Sequence, residues 1–379
     1  MDDTILSAGV RHNLLAVQST SSFTAQSLHS RAGDFNSLLD SIGHAQQVLA
    51  AANQSVYSLS KLVQSGISTA RQAQQSPIGY AIKSNLSTTI GGATALDLRG
   101  STTYMSAQAR SNGGISGTTL TFTSFNGGTP IDITFGDGTG GTIKTLDQLN
   151  AALAPNNLTA TLDTSGKLTI SASNDYASST LGGAAGGQIG GTVSCALTWT
   201  VATAPVPDAN ALATRARLQN DYNNLLTQID QLAKDSSFGG VNLIHGDSLN
   251  IVFNENGSSA LQIVGVTFSA AGLGLASPTV NAFQDNASIN LVVASLYNAL
   301  VTLRTQASKF GSNLSVVQNR QDFTKNMINL LTTGADSLVL ADSNEEGANM
   351  LALQTRQQLS TTALSLASQA DQAVLRVFG

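Results

Sequence analysis

From Phe35 to about Gln75 the chain has almost no Gly or Pro, and apolar or small residues recur at Leu38, Ile42, Ala45, Leu49, Ala52, Val56, Leu59 and Val63. Steps of four and three alternate along this run, which is the seam of a coiled coil and predicts one long helix. The same alternation returns near the other end, at Ile289, Val293, Leu296, Leu300, Leu303, Ala307, Phe310, Leu314 and Val317, and predicts a second. After a polar interval it resumes at Ile328, Leu331, Ala335 and Leu338, and a last seam runs through Leu359, Ala363, Leu366, Ala370, Ala373 and Val377. Between these ends a third helix, Asn210 to Lys234, places Leu212, Ala216, Tyr222, Leu225, Leu226, Ile229 and Leu232 on one broad face and stops at Ser236-Ser237-Phe238-Gly239-Gly240. Leu249 to Phe253 and Ala260 to Val264, joined by Asn254-Glu255-Asn256-Gly257, read as a β-hairpin.

The text changes in kind from Pro77 to Asp208, where Gly, Thr and Ser separate short alternating runs. Strands are predicted at Thr119 to Phe125, Ile131 to Phe135, Leu158 to Leu162 and Leu168 to Ser173, with a short helix over Ile143 to Leu153. The fold class that follows is α + β and multidomain. Long antiparallel coiled-coil helices come from both chain ends, with a small β-hairpin region, and a β-rich outer domain is inserted between them. The expected division is 1–33 with 343–379 as an inner coiled-coil domain, 34–76 with 209–342 as a helical core domain, and 77–208 as the outer domain.

Composition narrows the function. Only 11% of the 379 residues are charged and the net charge is -5, so there is no basic surplus with which to bind nucleic acid. One cysteine, Cys195, forms neither an internal disulfide nor a metal site by itself. The N-terminal MDDTILSAGVRHNLLAVQST lacks the apolar stretch and cleavage pattern of a signal peptide, and no apolar run of bilayer length is expected elsewhere, so no membrane insertion is expected. His12, His29, His44 and His245 are scattered and match no zinc pattern. Gly136-Asp137-Gly138-Thr139-Gly140-Gly141 has no Gly-Lys-Ser/Thr after it and reads as a turn. Glu345 and Glu346 point apart on a helix, and Asp342-Ser343-Asn344-Glu345 reads as a helix start. No catalytic residue, cofactor or metal is expected.

The C-terminal seam poses a physical problem. A helix ending near Phe378 with only Arg356, Asp371 and Arg376 as charges along its length has Ser, Thr, Gln and Ala where a solvated face would carry charge. Ordering each residue costs on the order of 1 to 2 kcal/mol, and each buried Leu returns about 1.5 to 3 kcal/mol, so a pair of such ends alone is marginal. The candidate self-assembly residues are therefore Val10, Leu14 and Val17 at one end and Leu359, Ala363, Leu366, Ala370, Ala373 and Val377 at the other. The core seam is assigned to Leu38, Ile42, Leu49, Val56, Leu59, Val63, Leu296, Leu300, Leu303, Phe310, Leu314 and Val317.

Particular stretches resemble a known family. Ser315-Val316-Val317-Gln318-Asn319-Arg320-Gln321-Asp322-Phe323, Leu340 to Glu346 and Gln357 to Ala367 look like the C-terminal region of bacterial flagellin. Ile229 to Ala233 and Phe238 to Ile244 are similar to the flagellin stretch before its hairpin, and Leu6 to Leu15 resembles the N-terminus of alphaproteobacterial flagellins. The resemblance implies a filament subunit for swimming motility, secreted by the flagellar type III route without a cleaved signal. Its implied partners are itself as a helical homopolymer, an export chaperone, the filament cap and hook-filament junction proteins. One departure stands out: the flagellin segment Arg-Leu-x-x-Gly-x-x-Val-x-Ser-Ala-x-Asp is missing, since Gln18-Ser19-Thr20 runs directly toward Ser22 to Leu28. Two alternatives stay open, a hook-filament junction protein and a surface-exposed binding protein that no longer assembles normally.

Overall fold

The computed structural model of the chain describes residues 2–100, 115–190, 198–339 and 343–378, and among these the side chains of all but 2–21, 343–346, 349 and 374–378. Among the described residues five α-helices carry the architecture: α1 (Asp2–Gln75), α2 (Leu146–Leu153), α3 (Ala209–Asp235), α4 (Asn286–Val339) and α5 (Ser343–Phe378). At 1.5 Å per residue α1 is about 110 Å long and α5 about 54 Å. α1 runs unbroken through Gln18 to Leu28, the place where the resemblance locates a missing linking segment. α4 is likewise continuous across the polar interval at which the alternation lapses, because Gln, Asn and Lys are good enough helix formers to carry it. α1 ends at Gln75 because Pro77 supplies no N–H and disfavours helical backbone at Ser76.

The chain divides into two compact units. The first contains 1–47, 250–263 and 314–379. In it Ala32, Phe35 and Leu331 form a buried cluster, with Leu28, Leu38, Met327 and Ile328 packed against it. Gly43 faces the Gln321 amide and Gly334 faces Leu28, so α1 and α4 run antiparallel here, low numbers meeting high ones. The hairpin β9 (Leu249–Val252) and β10 (Ala260–Ile263) is tied to both helices. Arg31 Nε donates to Glu255 Oε1 at 3.1 Å, and the Arg320 guanidinium lies 5.4 Å from the Phe253 ring centre.

The second unit contains 48–249 and 264–313. Here α1, α3 and α4 converge: a Cβ on Gly66 would meet Leu296 Cδ2 at 3.1 Å and Leu225 Cδ2 at 3.7 Å. Ala211, Arg215, Leu218 and Gln219 are the buried residues of the first turns of α3, whereas Leu212 and Ala216 are only half-buried. The buried face is rotated from the expected one because Arg215 needs the acceptors that lie inward.

The insert builds two three-stranded antiparallel sheets, in the orders β2-β6-β5 and β4-β3-β7. They are made of β2 (Asn85–Thr89), β3 (Thr119–Phe122), β4 (Ile131–Thr134), β5 (Leu158–Leu162), β6 (Lys167–Ala172) and β7 (Ile189–Gly190). Alternation in β3, β5 and β6 turns Leu120, Phe122, Leu158, Ala160, Leu168 and Ile170 into one core shared with Phe125, Phe135, Leu149 and Leu153. α2 starts with a capping box in which Thr145 and Gln148 each satisfy the other's backbone N–H. The insert's two ends are joined by β1 (Tyr80–Ile82) and β8 (Val206–Pro207), and Asp208 N–H donates to Gly79 O at 2.9 Å. Gly79 is required at that junction, since a Cβ would come within 2.2 Å of Gln284 Oε1 and 2.7 Å of Leu212 Cδ2.

Candidate self-assembly surface

Each long helix sorts its residues by face. On α1, Ile42, Leu49, Val56, Leu59 and Val63 are completely buried, and Leu38 is half-buried. On α4, Leu296, Leu303, Phe310 and Val317 are completely buried, Leu300 nearly so and Leu314 half. Polar contacts keep the two helices in register. The Arg71 guanidinium donates to Tyr297 Oη and lies 5.6 Å from that ring's centre, and Gln74 Nε2 donates to Asn290 Oδ1. In the first unit, His29 Nε2 is 3.6 Å from Asp336 Oδ1 beside an open groove of about 660 Å³ lined by Ser22, Ala25, Gln26 and Val339.

α5 has a different character. Every described side chain from Gly347 to Ala373 is exposed. Leu351, Leu353, Leu359, Leu364 and Leu366 are 61 to 74% exposed and Met350 is 65% exposed. Ala363, Ala370 and Ala373 are exposed with them, whereas the side chain of Val377 lies outside the described residues, as do those of Val10, Leu14 and Val17 on α1. At 100° per residue Leu351, Leu359 and Leu366 fall on one side of α5 and Leu353 and Leu364 on the other, so large apolar side chains face water on more than one side of the helix.

A bacterial flagellin C-terminal helical region matches residues 293–378, which spans most of α4 and all of α5. The chain is 30% identical to flagellin FljK of Caulobacter vibrioides over 162 residues, covering 42% of this chain and 59% of that one. Over these stretches the chain is similar to bacterial flagellins. A flagellin of Brucella melitensis biotype 1 is 26% identical over 175 residues, 43% of this chain and 62% of its own. Flagellin A of Rhizobium meliloti (strain 1021) is 35% identical over 91 residues, 24% of this chain and 23% of its own. The chain thus spans about three fifths of the Caulobacter and Brucella flagellins it matches. A domain of unknown function, DUF1522, matches residues 17–138, from α1 into the insert.

Within the flagellin region the structure adds a face that the seam does not contain. Val316, Phe323 and Leu330 follow one another at intervals of seven on α4 and are 43%, 52% and 66% exposed. The repeat of seven is itself the signal that finds them, one position before the buried Val317, Thr324 and Leu331. α4 also corrects the expectation about apolar length. It contains an 18-residue window of mean hydropathy 1.3, long and apolar enough to cross a membrane by length and composition. An average tolerates the Ser, Asn and Thr that interrupt an unbroken run, and Leu296, Ala299, Leu300 and Leu303 on the same helix are buried against protein.

Several titratable groups among the described residues shape the fold. Asp137 accepts from Thr139 N–H and its hydroxyl, and Asp163 from Ser165 N–H, Ser165 Oγ and Lys167 N–H; these bonds hold both turn carboxyls below their ordinary range. Arg99 does the same for Asp97 through a bidentate contact. Burial pushes the Tyr222 hydroxyl up to about 12. Among the described residues no three His, Cys, Asp or Glu side chains gather as metal ligands. Cys195 lies outside the described residues.

Proposed function

We propose that the chain is a structural subunit that polymerises into a flagellar filament, driven by burial of its terminal helices between copies. The single observation that supports this most directly is the exposure of five leucines along α5. Burying them at about 2 kcal/mol each is worth on the order of 10 kcal/mol, which exceeds what an exposed helix of this composition gains by remaining in water. In this reading Val10, Leu14 and Val17 with Leu359, Ala363, Leu366, Ala370, Ala373 and Val377 form the intersubunit seam. The α1–α4 pair is an antiparallel coiled coil that stiffens the subunit, and the β-rich insert 77–208 is the outer domain. The filament is extracellular, its subunit exported without a cleaved signal, with an export chaperone, a filament cap and hook-filament junction proteins as further partners. The role is structural and not enzymatic.

The test uses Leu359→Gln with Leu366→Gln in one chain. Both side chains are exposed, so circular dichroism and the denaturation midpoint of the monomer stay unchanged. Elongation from preformed filament fragments, counted by electron microscopy, falls by at least about tenfold, the equivalent of 1.4 kcal/mol per added subunit. Elongation at the unsubstituted rate would sink the proposal, as would failure of the unsubstituted chain to elongate.

A further inference from the structure

Asn followed by Gly occurs at Asn126-Gly127 and Asn256-Gly257 among the described residues, and the structure places the two asparagines in opposite circumstances. Asn256 lies at the tip of the β9–β10 hairpin and is exposed, as are Glu255, Gly257 and Ser258 around it. Its Oδ1 accepts the Ser258 backbone N–H at 3.0 Å. That bond draws electron density from Cγ and stabilises an oxyanion formed there. The neighbouring Gly257 presents no Cβ to hinder its own nitrogen, and a Cβ built on it would meet nothing within 4 Å. The Gly257 N–H is held by Asn254 O at the long distance of 3.2 Å.

Asn126 sits in a tight turn with φ of 46°, closed by Gly128 N–H to Phe125 O at 2.9 Å and pinned by its own N–H to Ala185 O at 3.1 Å. Its Nδ2 is buried and has no hydrogen-bond partner among the described residues. A leaving amide there is shielded from water, and the backbone on both sides of it is held by the turn. General acid-base assistance, which ammonia expulsion needs, is absent at Asn126 and supplied by solvent at Asn256.

We propose that Asn256 is a site of spontaneous modification by water, converted through a cyclic imide to aspartate and isoaspartate, while Asn126 is kept as the amide. The Gly257 nitrogen loses its proton to solvent base and bonds to Asn256 Cγ. The Cγ–Nδ2 bond then breaks, and Nδ2 leaves as ammonia with a proton from water. Water next opens the imide. Attack at Cγ breaks the new bond and gives aspartate; attack at the main-chain carbonyl breaks the original peptide bond and gives isoaspartate, with the side-chain methylene now in the backbone. Either product places a second carboxylate beside Glu255, which pairs with Arg31 on α1. The isoaspartate also lengthens a turn whose closure depends on Ser259 N–H to Asn254 Oδ1 at 3.0 Å and Phe253 N–H to Ser259 O at 2.8 Å. A subunit marked in this way carries a record of its age at the hairpin tip.

The experiment ages the full chain in mildly alkaline buffer, once native and once unfolded in guanidinium chloride, and maps peptides by mass spectrometry. In the native sample the Asn256 peptide gains the mass of an amide-to-acid change and splits into two chromatographic peaks. It does so at least about tenfold faster than the Asn126 peptide, a barrier difference of about 1.4 kcal/mol. Unfolding brings the two rates together, because the sequence motif is then the same and the protection is gone. Equal native rates, a preference that survives unfolding, or no conversion of Asn256 would each overturn the proposal.

Discussion

Arg215 is completely buried, yet among the described residues it has no carboxylate in a salt bridge. Its guanidinium donates instead to Ser76 O, Pro77 O, Phe283 O, Gln284 O and Asn286 Oδ1, at 2.9 to 3.3 Å. These acceptors come from just past the end of α1 and from the turn that leads into α4, so one planar fork ties the exit of one helix to the approach of another. Burial lowers the Arg215 pKa and the nearby Asp285 carboxylate opposes that shift. Arg215→Met takes this donor from two buried acceptors, the Phe283 and Gln284 carbonyls, and from three half-buried ones, and a lost buried partner of this kind costs about 1 to 3 kcal/mol. Chemical denaturation is expected to show a loss of at least about 2 kcal/mol, with Arg215→Lys recovering only part of it because a point charge cannot span the fork. A loss below about 1 kcal/mol for Arg215→Met would show that water replaces the guanidinium. The sequence displays Arg215 as one polar residue in an amphipathic helix, which is why periodicity sets the face of α3 on Leu212 and Ala216. Only the position of distant carbonyls makes an arginine an interior residue.

At the scale of the element, α4 shows why an apolar-rich helix is only half legible. The alternation of three and four marks Leu296, Leu300, Leu303, Phe310 and Val317 as a seam, and these residues are buried. Val316, Phe323 and Leu330 lie one position away from that stripe and point to water, and a periodicity that accepts any apolar residue does not separate the two faces. The two faces should respond differently to truncation. Leu303→Ala removes packing in the single chain and is expected to lower stability by about 2 to 5 kcal/mol. Val316→Ser, Phe323→Ser and Leu330→Ser together are expected to change monomer stability by less than about 1.5 kcal/mol in total, the sum of three surface substitutions, while slowing seeded elongation. A monomer melting curve shifted as far by the triple substitution as by Leu303→Ala would show that the outward face is occupied within one chain. Elongation at the unsubstituted rate would show that this face takes no part in assembly.

For the whole molecule, the strands legible from sequence are those with local alternation: Leu158 to Leu162 has the same limits in the structure, whereas the strands predicted at Thr119 to Phe125 and Ile131 to Phe135 stop one to three residues earlier. β1, β7 and β8 are not legible, because two- or three-residue strands exist only through partners far along the chain, such as Tyr80 with Pro207 and Phe122 with Ile189. The closure made by β1 and β8 has a consequence that can be measured. Since Gly79 and Asp208 are joined by a 2.9 Å hydrogen bond, the insert enters and leaves through one point, and a short linker can replace it without stretching α1 away from α3. Among the described residues, the side-chain bonds that its removal breaks are polar: Ser178 N–H and hydroxyl both donate to Asp285, at 2.8 and 2.5 Å, and freed Asp285 then faces water and the Arg215 charge that it already influences. The insert keeps its own core of Leu120, Phe122, Leu158, Leu168 and Ile170, so its removal exposes little apolar surface on the helices. Replacing residues 81–206 with a flexible turn should therefore leave a chain that unfolds in one cooperative transition, with a higher helical fraction and unchanged seeded elongation. A broadened transition, or circular dichroism below that expected for the remaining helices, would mean that the insert is needed to hold α1, α3 and α4 together.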